Sequence, residues 1–337
     1  MTLFLKTAVG TAAIVVSMGL ASAGFFAPTA GATTLKASHQ WNTSDVRHKM
    51  MQIIADDVAK ANVDLKIKIY PSKSLYKPKE QWTPLTRGQL DLTAFPLAYA
   101  AGQHPEFDAT LMPGLVKNHE HARRLNNSKF MADIKKIINK SGVMVIADTW
   151  LAGGFASRKQ CIRGPETMKG LVTRAAGKAF EQMLVGAGAS IASMPSSEIY
   201  TAMQTGVLDA ANTSSGSFVS YRIYEQAKCM TAPGDQALWF MYEPILMSTK
   251  SFNKLNKAQQ KAILAAGKKA EAFFFDAAKG LDDKMVKVFK KAGVKVITMT
   301  KAEADAWRAI AKKTSYAEFE KKVPGGKKLI EEALAVQ

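Results

Sequence analysis

The chain has 337 residues, with 46 lysines and arginines against 28 aspartates and glutamates, and a formal net charge of +18. Such a charge attracts anions, including nucleic acids. The lysines are spread along the chain, however, without a dense basic run or a zinc, helix-turn-helix or RNP signature. We therefore expect a small anion as the partner, and no nucleic acid.

Residues 1–32 predict a secretory signal peptide. Lys6 precedes an apolar stretch at residues 8–20, and small residues follow up to Ala32. We prefer cleavage after Ala32, because the first strand pattern begins just beyond it; cleavage after Ala23 is the alternative. The apolar stretch is too short to span a membrane comfortably. The sequence therefore predicts a periplasmic protein.

The first half of the remaining chain alternates strand and helix patterns. In chain order we predict a strand at 35–38, a helix at 45–58, a strand at 65–70, a helix at 79–87, a strand at 90–94, a helix at 119–139 and a strand at 143–150. Leu65, Ile67 and Ile69 alternate with polar residues, which is typical of a half-buried strand. We place the first crossing between two lobes at Gly153 and Gly154, because paired glycines can bend as a hinge.

The second half continues the α/β pattern. We predict a strand ending at 174, a helix at 180–184, a strand at 190–194 and a following helix, then a helix at 218–225, a strand at 228–231, a β-type run at 239–248, a helix at 257–291, a strand at 294–299 and helices at 302–313 and 324–335. Ser196 or Ser197 is expected to cap the helix after the strand at 190–194. The run at 239–248 is assigned as the return crossing. A chain of this length exceeds one core and indicates two lobes.

Two cysteines occur, Cys161 and Cys229. In an exported protein we expect them to form a disulfide. Two unpaired buried thiols are the alternative.

Four stretches resemble a known family. They are KGLVTR at 169–174, PSSEIYTAMQTGVLD at 195–209, SLYKPKEQW at 74–82 and RGQLDLTAF at 87–95. Together with the signal peptide they resemble the DctP-type solute-binding proteins of TRAP (tripartite ATP-independent periplasmic) transporters, over essentially the whole mature chain.

The resemblance implies an α/β, two-lobed periplasmic solute-binding protein fold, type II-like, with hinge strands and a long helix spanning both lobes. We assign 33–152 plus 244–284 to lobe I and 153–243 plus 285–337 to lobe II. It also implies a small organic acid as ligand and TRAP membrane permease subunits as partners. We expect a monomer without cofactor or metal.

Arg174 is the leading candidate for the ligand contact. It ends a strand and precedes three small residues, and its planar guanidinium matches a carboxylate through two parallel hydrogen bonds. The resemblance implies that it grips the carboxylate of the solute; a surface salt bridge is the alternative. Arg158 is a second candidate cation. Some relatives carry an additional arginine where this chain has residues 151–154, which puts a clamp of two arginines in doubt.

Other predicted contacts follow strand ends and crossings. They are His39, Gln40, Trp41, Phe95, Tyr99, Trp150, Ser196, Asn212, Thr213, Trp239 and Tyr242. The aromatic residues among them indicate a solute with apolar or ring character, although aromatic residues also pack in cores. Asn212 stands where some relatives have an acid, so we do not expect a metal-bridged carboxylate.

Catalytic signatures are missing from the sequence. It contains no G-x-S-x-G, H-E-x-x-H or Walker A motif, and we predict no catalytic residue. The favoured function is capture of a solute for transport; a secreted enzyme and a chemosensory binding protein on the same scaffold are the alternatives. Monocarboxylates, C4-dicarboxylates, 2-oxo acids and aromatic acids all stay open as ligands.

Overall fold

The computed structural model describes residue 2 and residues 32–337. The predicted signal peptide, with its apolar stretch and its cleavage motifs, falls almost entirely outside the described residues. Within the described part, no helix combines the length and the hydropathy needed to cross a membrane.

Strands of the described chain form two sheets. The strands are β1 Thr33–Ser38, β2 Leu65–Tyr70, β3 Leu92–Ala94, β4 Val143–Ala147, β5 Trp150–Ser157, β6 Val172–Ala175, β7 Ser190–Ser193, β8 Ala210–Ser214, β9 Cys229–Ala232, β10 Trp239–Tyr242, β11 Ile245–Ser248 and β12 Lys295–Thr298. The first sheet has the order β2-β1-β3-β11-β4, and the second has the order β12-β9-β5-β8-β6-β7, with β10 also paired to β5. The mixed α/β class with two sheets is as predicted.

Helices cover both sheets. They are α1 Val46–Lys60, α2 Trp82–Arg87, α3 His119–Leu125, α4 Lys129–Lys140, α5 Lys178–Gly186, α6 Ile199–Gln204, α7 Ser215–Ser220, α8 Thr249–Asn253, α9 Lys257–Lys291, α10 Lys301–Ala311, α11 Ala317–Lys322 and α12 Gly326–Leu334. The helix predicted at 119–139 is two helices, because the Ser128 hydroxyl accepts from the Met131 N–H and starts α4 anew.

The local sequence predicts the start of α9 correctly and the cap of α6 incorrectly. α9 begins in a capping box between Asn256 and Gln259 and has the predicted bounds. The predicted cap of α6 is wrong: Ser196 lies in a 3₁₀ turn, and neither Ser196 nor Ser197 caps the helix. The Ser196 hydroxyl donates instead to Gln40 Oε1, 3.3 Å away.

Two short crossings between the sheets lie at Asp148–Thr149 and at Glu243–Pro244, and the segment that contains α9 makes a third, longer crossing from β11 to β12. The two short crossings bond to each other, because the Glu243 N–H donates to the Thr149 carbonyl at 2.9 Å and the Thr149 hydroxyl donates to the Glu243 carbonyl. The return crossing therefore falls inside the run predicted to carry it.

The predicted hinge at Gly153 and Gly154 is wrong in position. Both glycines lie inside β5. A Cβ atom at Gly153 would lie 2.0 Å from the Thr213 carbonyl oxygen, and one at Gly154 would lie 2.0 Å from that of Thr231. These residues are glycines because neighbouring strands approach closely.

The lobe boundaries stay a prediction. β1–β4 and β11 belong to the first sheet, and the other strands belong to the second. The long helix α9 contacts α1 and β4 on one side of the molecule and α7 and β12 on the other. The C-terminal α12, assigned to lobe II, packs on α4, where Lys129 Nζ lies 3.5 Å from Glu332 Oε1.

A disulfide joins Cys161 and Cys229, as predicted, with Cα atoms 5.1 Å apart and 68 positions of sequence between them. It ties the segment after β5 to the first residue of β9. The described residues contain no free cysteine.

Replacing both cysteines by serine is expected to lower the free energy of unfolding by up to roughly 4 kcal/mol, because the unfolded chain regains the freedom of a loop of this length. Urea unfolding of the oxidised protein and of the Cys161→Ser/Cys229→Ser variant measures the difference. The oxidised protein treated with reductant is the matched control. Equal unfolding free energies for all three samples would show that the bond contributes nothing.

Candidate functional site

Arg174 lies at the carboxyl end of β6 with only 1% of its surface exposed. Its Nε donates to the Met194 carbonyl at 2.9 Å, and its Nη1 donates to the Asn212 carbonyl at 2.7 Å. Its Nη2 donates to the Tyr99 hydroxyl at 3.0 Å. The parallel strands β6, β7 and β8 thus hold the guanidinium where their carboxyl ends meet.

Arg174 makes no salt bridge within the described chain, although the charge of Glu243 nearby favours its protonated form. Its contacts are two carbonyl oxygens and one phenol, and no carboxylate bonds to it. Burial lowers its pKa, an effect that Tyr99 partly offsets. A guanidinium carries five N–H groups, and these three contacts leave one hydrogen on each terminal nitrogen. The two remaining hydrogens match the paired oxygens of a carboxylate.

Arg47 is a second fully buried arginine, and it is neutralised. Its Nε and Nη2 donate to the two carboxylate oxygens of Asp45 at 2.7 Å each, and its Nη1 donates to Glu243 Oε2 at 2.7 Å. The hydroxyls of Ser214 and Ser217 accept the other two N–H groups at 3.1 Å each. All five donors are satisfied. Burial alone would lower the pKa of Arg47, but the two carboxylates outweigh burial and raise it.

The Arg47 network joins separate parts of the fold. Asp45 and Arg47 start α1, Glu243 belongs to the return crossing, and Ser214 and Ser217 start α7 after β8. Sequence analysis missed this network. The one local signal was an acid and an arginine two residues apart at a helix start; the partners at 214–243 are distant in sequence.

Five residues that were predicted to contact the ligand, Arg174 among them, lie together. The Tyr99 hydroxyl oxygen accepts from the Ser196 N–H at 3.1 Å as well as from Arg174. Ser196 in turn bonds Gln40 Oε1. The Asn212 backbone carbonyl completes the group, which we call the Arg174 cluster: Gln40, Tyr99, Arg174, Ser196 and Asn212.

Buried polar atoms in this cluster lack partners within the described residues. Asn212 is fully buried, and neither its side-chain oxygen nor its nitrogen has a partner. Gln40 Nε2 is buried and unpaired as well. Buried amides are normally hydrogen-bonded, so these groups are free to bond to a ligand or to water.

Trp239 lies on the same sheet face as the Asn212 side chain. It pairs with Gly153 across β10 and β5, and Gly153 pairs with Ser214 of β8. Opposite residues share a face of a sheet, and so do residues two apart, so Trp239 and Asn212 share one face. The indole N–H of Trp239 is buried and has no partner in the described chain.

Three predicted aromatic or histidine contacts support other side chains. Trp41 lies under Arg47, with the guanidinium carbon 4.0 Å from the ring centroid. His39 bonds His48 at 3.0 Å, and burial lowers its pKa to about 3, so it is neutral. Phe95 packs edge-on against Tyr99 at a centroid distance of 6.2 Å.

Four other predicted residues make no side-chain hydrogen bond to the cluster. The Trp150 indole donates to Asn126 at 2.8 Å, and the Tyr242 hydroxyl donates to Asp148, at the first crossing. Thr213 faces the side of β8 opposite to Asn212, which is the side that Ala211 shares with its pairing partner Arg174; its contact with a ligand stays a prediction.

Arg158 is the fourth. Its backbone N–H bonds the Asp209 carbonyl, at the opposite end of β8 from Asn212. Arg158 therefore supplies no second cation beside Arg174.

Asp108 contacts the amino end of α5. It lines a cavity of about 440 Å³ together with Tyr99, Ala176 and Gly177. Burial raises the pKa of Asp108 to about 7, although the N–H groups of Ala179 and Lys178 favour the ionised form. No motif around residue 108 marked this carboxyl group in the sequence.

Comparison with known proteins gives a consistent result. The family model "DctP: Bacterial extracellular solute-binding protein, family 7" matches residues 37–322. A "Solute-binding protein" of Albidiferax ferrireducens is 38% identical over 311 residues, which is 90% of this chain and 91% of that protein.

Solved structures have the same fold. A TRAP periplasmic solute-binding protein from Rhodoferax ferrireducens, with bound malonate, superposes with a TM-score of 0.85 at 38% identity, over 89% of this chain and 96% of that one. One from Sulfitobacter sp. NAS-14.1, with bound β-D-galacturonate, gives 0.83 at 20% identity over 90% and 99%, which supports the fold alone.

Replacing Arg47 by methionine is expected to lower the free energy of unfolding by about 3–5 kcal/mol, because Asp45 and Glu243 would stay buried without a counter-charge. Lys301→Met is the control: it breaks an exposed pair with Asp305, which is worth about 0–1 kcal/mol. Chemical unfolding measures both variants. Similar small losses for the two would contradict the role of the Arg47 network.

Asp108 should make stability depend on pH. The pKa of Asp108 in the folded protein lies above the ordinary value of 3.8, so the folded state binds this proton more tightly than the unfolded state does. The resulting contribution to stability is complete below about pH 4 and is lost as the pH rises through about 7. Unfolding free energies of the protein, measured relative to Asp108→Asn, should fall across this window by at most about 4 kcal/mol and then level off. A difference that does not change between pH 5 and pH 8 would contradict this assignment.

Proposed function

The chain belongs to the DctP family of bacterial extracellular solute-binding proteins, and from this premise we propose that it captures a small organic acid through an ion pair with Arg174. It then delivers the acid to the membrane subunits of a TRAP transporter. The family consists of solute-binding proteins for transport and not of enzymes, so the acid leaves unchanged. We place the protein in the periplasm, a location that the family and the predicted signal peptide support.

The observation that carries the proposal is the contrast between the two buried arginines. A buried charge without a counter-charge costs several kcal/mol. Arg47 avoids this cost through direct ion pairs with Asp45 and Glu243, whereas Arg174 bonds only to carbonyl and phenol oxygens and feels the charge of Glu243 without a direct contact. A carboxylate from the solute would supply the missing negative charge, and the low local dielectric would strengthen the pair.

Contacts to the solute would come from both sheets. Gln40 follows β1 and Tyr99 follows β3 of the first sheet, whereas Arg174 and Asn212 belong to the second. A solute that bonds to groups on both sides stabilises the arrangement in which the two halves are close. This arrangement would be the form that the permease recognises.

Ligands of relatives support an acid as the solute. The Rhodoferax ferrireducens protein was crystallised with malonate, and another TRAP protein, from Sulfurospirillum deleyianum, with succinate. Both ligands carry carboxylates. The second protein is only 22% identical to this chain, so its ligand is a guide to the chemical class alone.

Isothermal titration calorimetry across monocarboxylates, dicarboxylates, 2-oxo acids and aromatic acids tests the proposal. Arg174→Ala should weaken binding at least about 30-fold, since loss of one partner of a buried charge pair costs about 2–5 kcal/mol. Arg174→Lys should weaken it roughly tenfold or more, because an ammonium cannot make two parallel bonds.

Arg158→Ala is the matched control and should bind as the parent does, since this arginine lies at the other end of β8. The proposal fails if no acid binds the parent, or if Arg174→Ala binds the acid with unchanged affinity.

A further inference from the structure

Asp108 joins the two halves of the molecule beside the Arg174 cluster. We propose that it is a proton-controlled latch: contact between its carboxyl group and the first turn of α5 holds the halves together around the solute, and a proton on this group strengthens the contact. The inference rests on the proposed function, because the latch acts on the binding of the acid that Arg174 captures.

The turn that carries Asp108 is anchored in the half built on the first sheet. It is the 3₁₀ segment Pro105–Leu111, which follows β3. The Phe107 ring packs edge-on against Trp82 at a centroid distance of 5.4 Å, and both rings share a core cluster with Leu246 of β11. Asp108 follows Phe107 directly and is only 9% exposed. Its position is therefore set by the first half.

α5 belongs to the other half, because it connects β6 and β7 of the second sheet. Its N-cap residue is Gly177, where a Cβ atom would lie 3.5 Å from Asp108 Oδ1. The same atom would lie 3.2 Å from Leu111 Cδ2 and 3.4 Å from Ala98 Cβ. The φ of Gly177 is −169°, an extended conformation that any residue adopts. The missing side chain therefore serves the close approach of the two halves.

The contact stabilises an ionised Asp108 incompletely. The first N–H groups of a helix have no partner inside the helix and attract negative charge, and those of Lys178 and Ala179 favour the ionised carboxyl group. Asp108 Oδ1, however, is buried and has no hydrogen-bond partner among residues 32–337. Burial outweighs the helix and raises the pKa of Asp108 to about 7.

Charged groups on the elements around Asp108 balance in number. The cavity wall and the turn itself carry three lysines and three glutamates: Lys79, Lys178, Lys322, Glu106, Glu181 and Glu318. α12 also packs on the turn, but its Glu332 lies 3.5 Å from Lys129 Nζ. β10 carries Tyr242, whose hydroxyl donates to Asp148. Burial is therefore the main influence on the protonation of Asp108.

His104 is the other group near this turn that titrates close to neutral pH. Its ring centroid lies 5.0 Å from that of Phe107, and its Nε2 lies 3.1 Å from Ser141 Oγ, so it faces the first half and not α5. Burial lowers its pKa. Its titration is common to the parent and to any variant of Asp108, and it cancels in their ratio.

Separation of the halves would return Asp108 to water, where its pKa has the ordinary value of 3.8. The closed arrangement therefore binds a proton that the separated halves release. By linkage, this proton favours closure and the binding of a solute that needs both halves. The contribution is complete below about pH 4 and is lost as the pH rises through about 7.

Calorimetry of the parent and of Asp108→Asn between pH 5 and pH 8 tests the latch, with the acid that binds the parent most tightly in the series above. The asparagine amide resembles the protonated carboxyl group and does not titrate. At pH 5 the two proteins should bind alike, within about threefold. At pH 8 Asp108→Asn should bind at least about tenfold more tightly, because only the parent buries a charge when it closes. A merely structural role of Asp108 would not make its replacement improve the affinity.

Titrations at pH 6 in two buffers of different ionisation enthalpy count the protons taken up with the acid. The parent should take up about half a proton to one proton more than Asp108→Asn. Glu318→Gln is the control and should follow the parent in both measurements. Glu318 lines the same cavity, but its bond with Lys322 lowers its pKa, so it stays ionised across this range.

Gly177→Val tests the contact itself, and it decides if Asp108→Asn does not fold. Its side chain would meet Leu111 and Ala98 of the first half, so it should weaken binding at pH 5 at least about fivefold. Parallel pH profiles for the parent and Asp108→Asn, equal proton uptake by the two, or unchanged binding by Gly177→Val overturns the latch and leaves the proposed function intact. Failure of every acid to bind the parent overturns both.

Discussion

The proposed recognition of the solute depends on a buried guanidinium, that of Arg174, which no carboxylate of the described chain contacts directly. Removing an arginine side chain from water without a counter-charge is unfavourable, and the structure holds Arg174 in place with the carbonyl oxygens of two neighbouring strands and one phenol. These groups orient the cation but do not cancel its charge. Arg47, equally buried, shows how the same protein treats an arginine that has only a structural role.

Both arginines depend on the crossings between the two sheets. Glu243, in the return crossing, pairs with Arg47 and also contributes to the electrostatic environment of Arg174. The same residue bonds through its backbone to Thr149 of the first crossing. The segments that connect the two sheets therefore also hold charged groups on which the proposed recognition of the solute depends.

Local sequence predicted elements well where the signal was local. The apolar period of α1, the alternation in β2 and the capping box of α9 lie within single segments, and each element forms as expected. Prediction failed where a residue distant in sequence determined the local structure. The glycines of β5 were predicted to form a hinge, but they are explained by the close approach of neighbouring strands. Ser196 was predicted to cap a helix, but its hydroxyl donates a hydrogen bond to Gln40.

The sequence by itself determined the α/β alternation, the pairing of its two cysteines and the family, because these depend on periodicity, composition and contiguous motifs. It also pointed to Arg174 through a motif. Only the tertiary structure decided which candidates meet: it placed Asn212, Tyr99 and Gln40 beside Arg174 and Arg158 at the other end of β8. The physical reason is that the charges around a buried residue come from tertiary contacts and not from its neighbours in the sequence. Asp45 is two residues from Arg47, but Glu243 is 196 positions away, and nothing near Arg174 in the sequence shows that no carboxylate bonds to it.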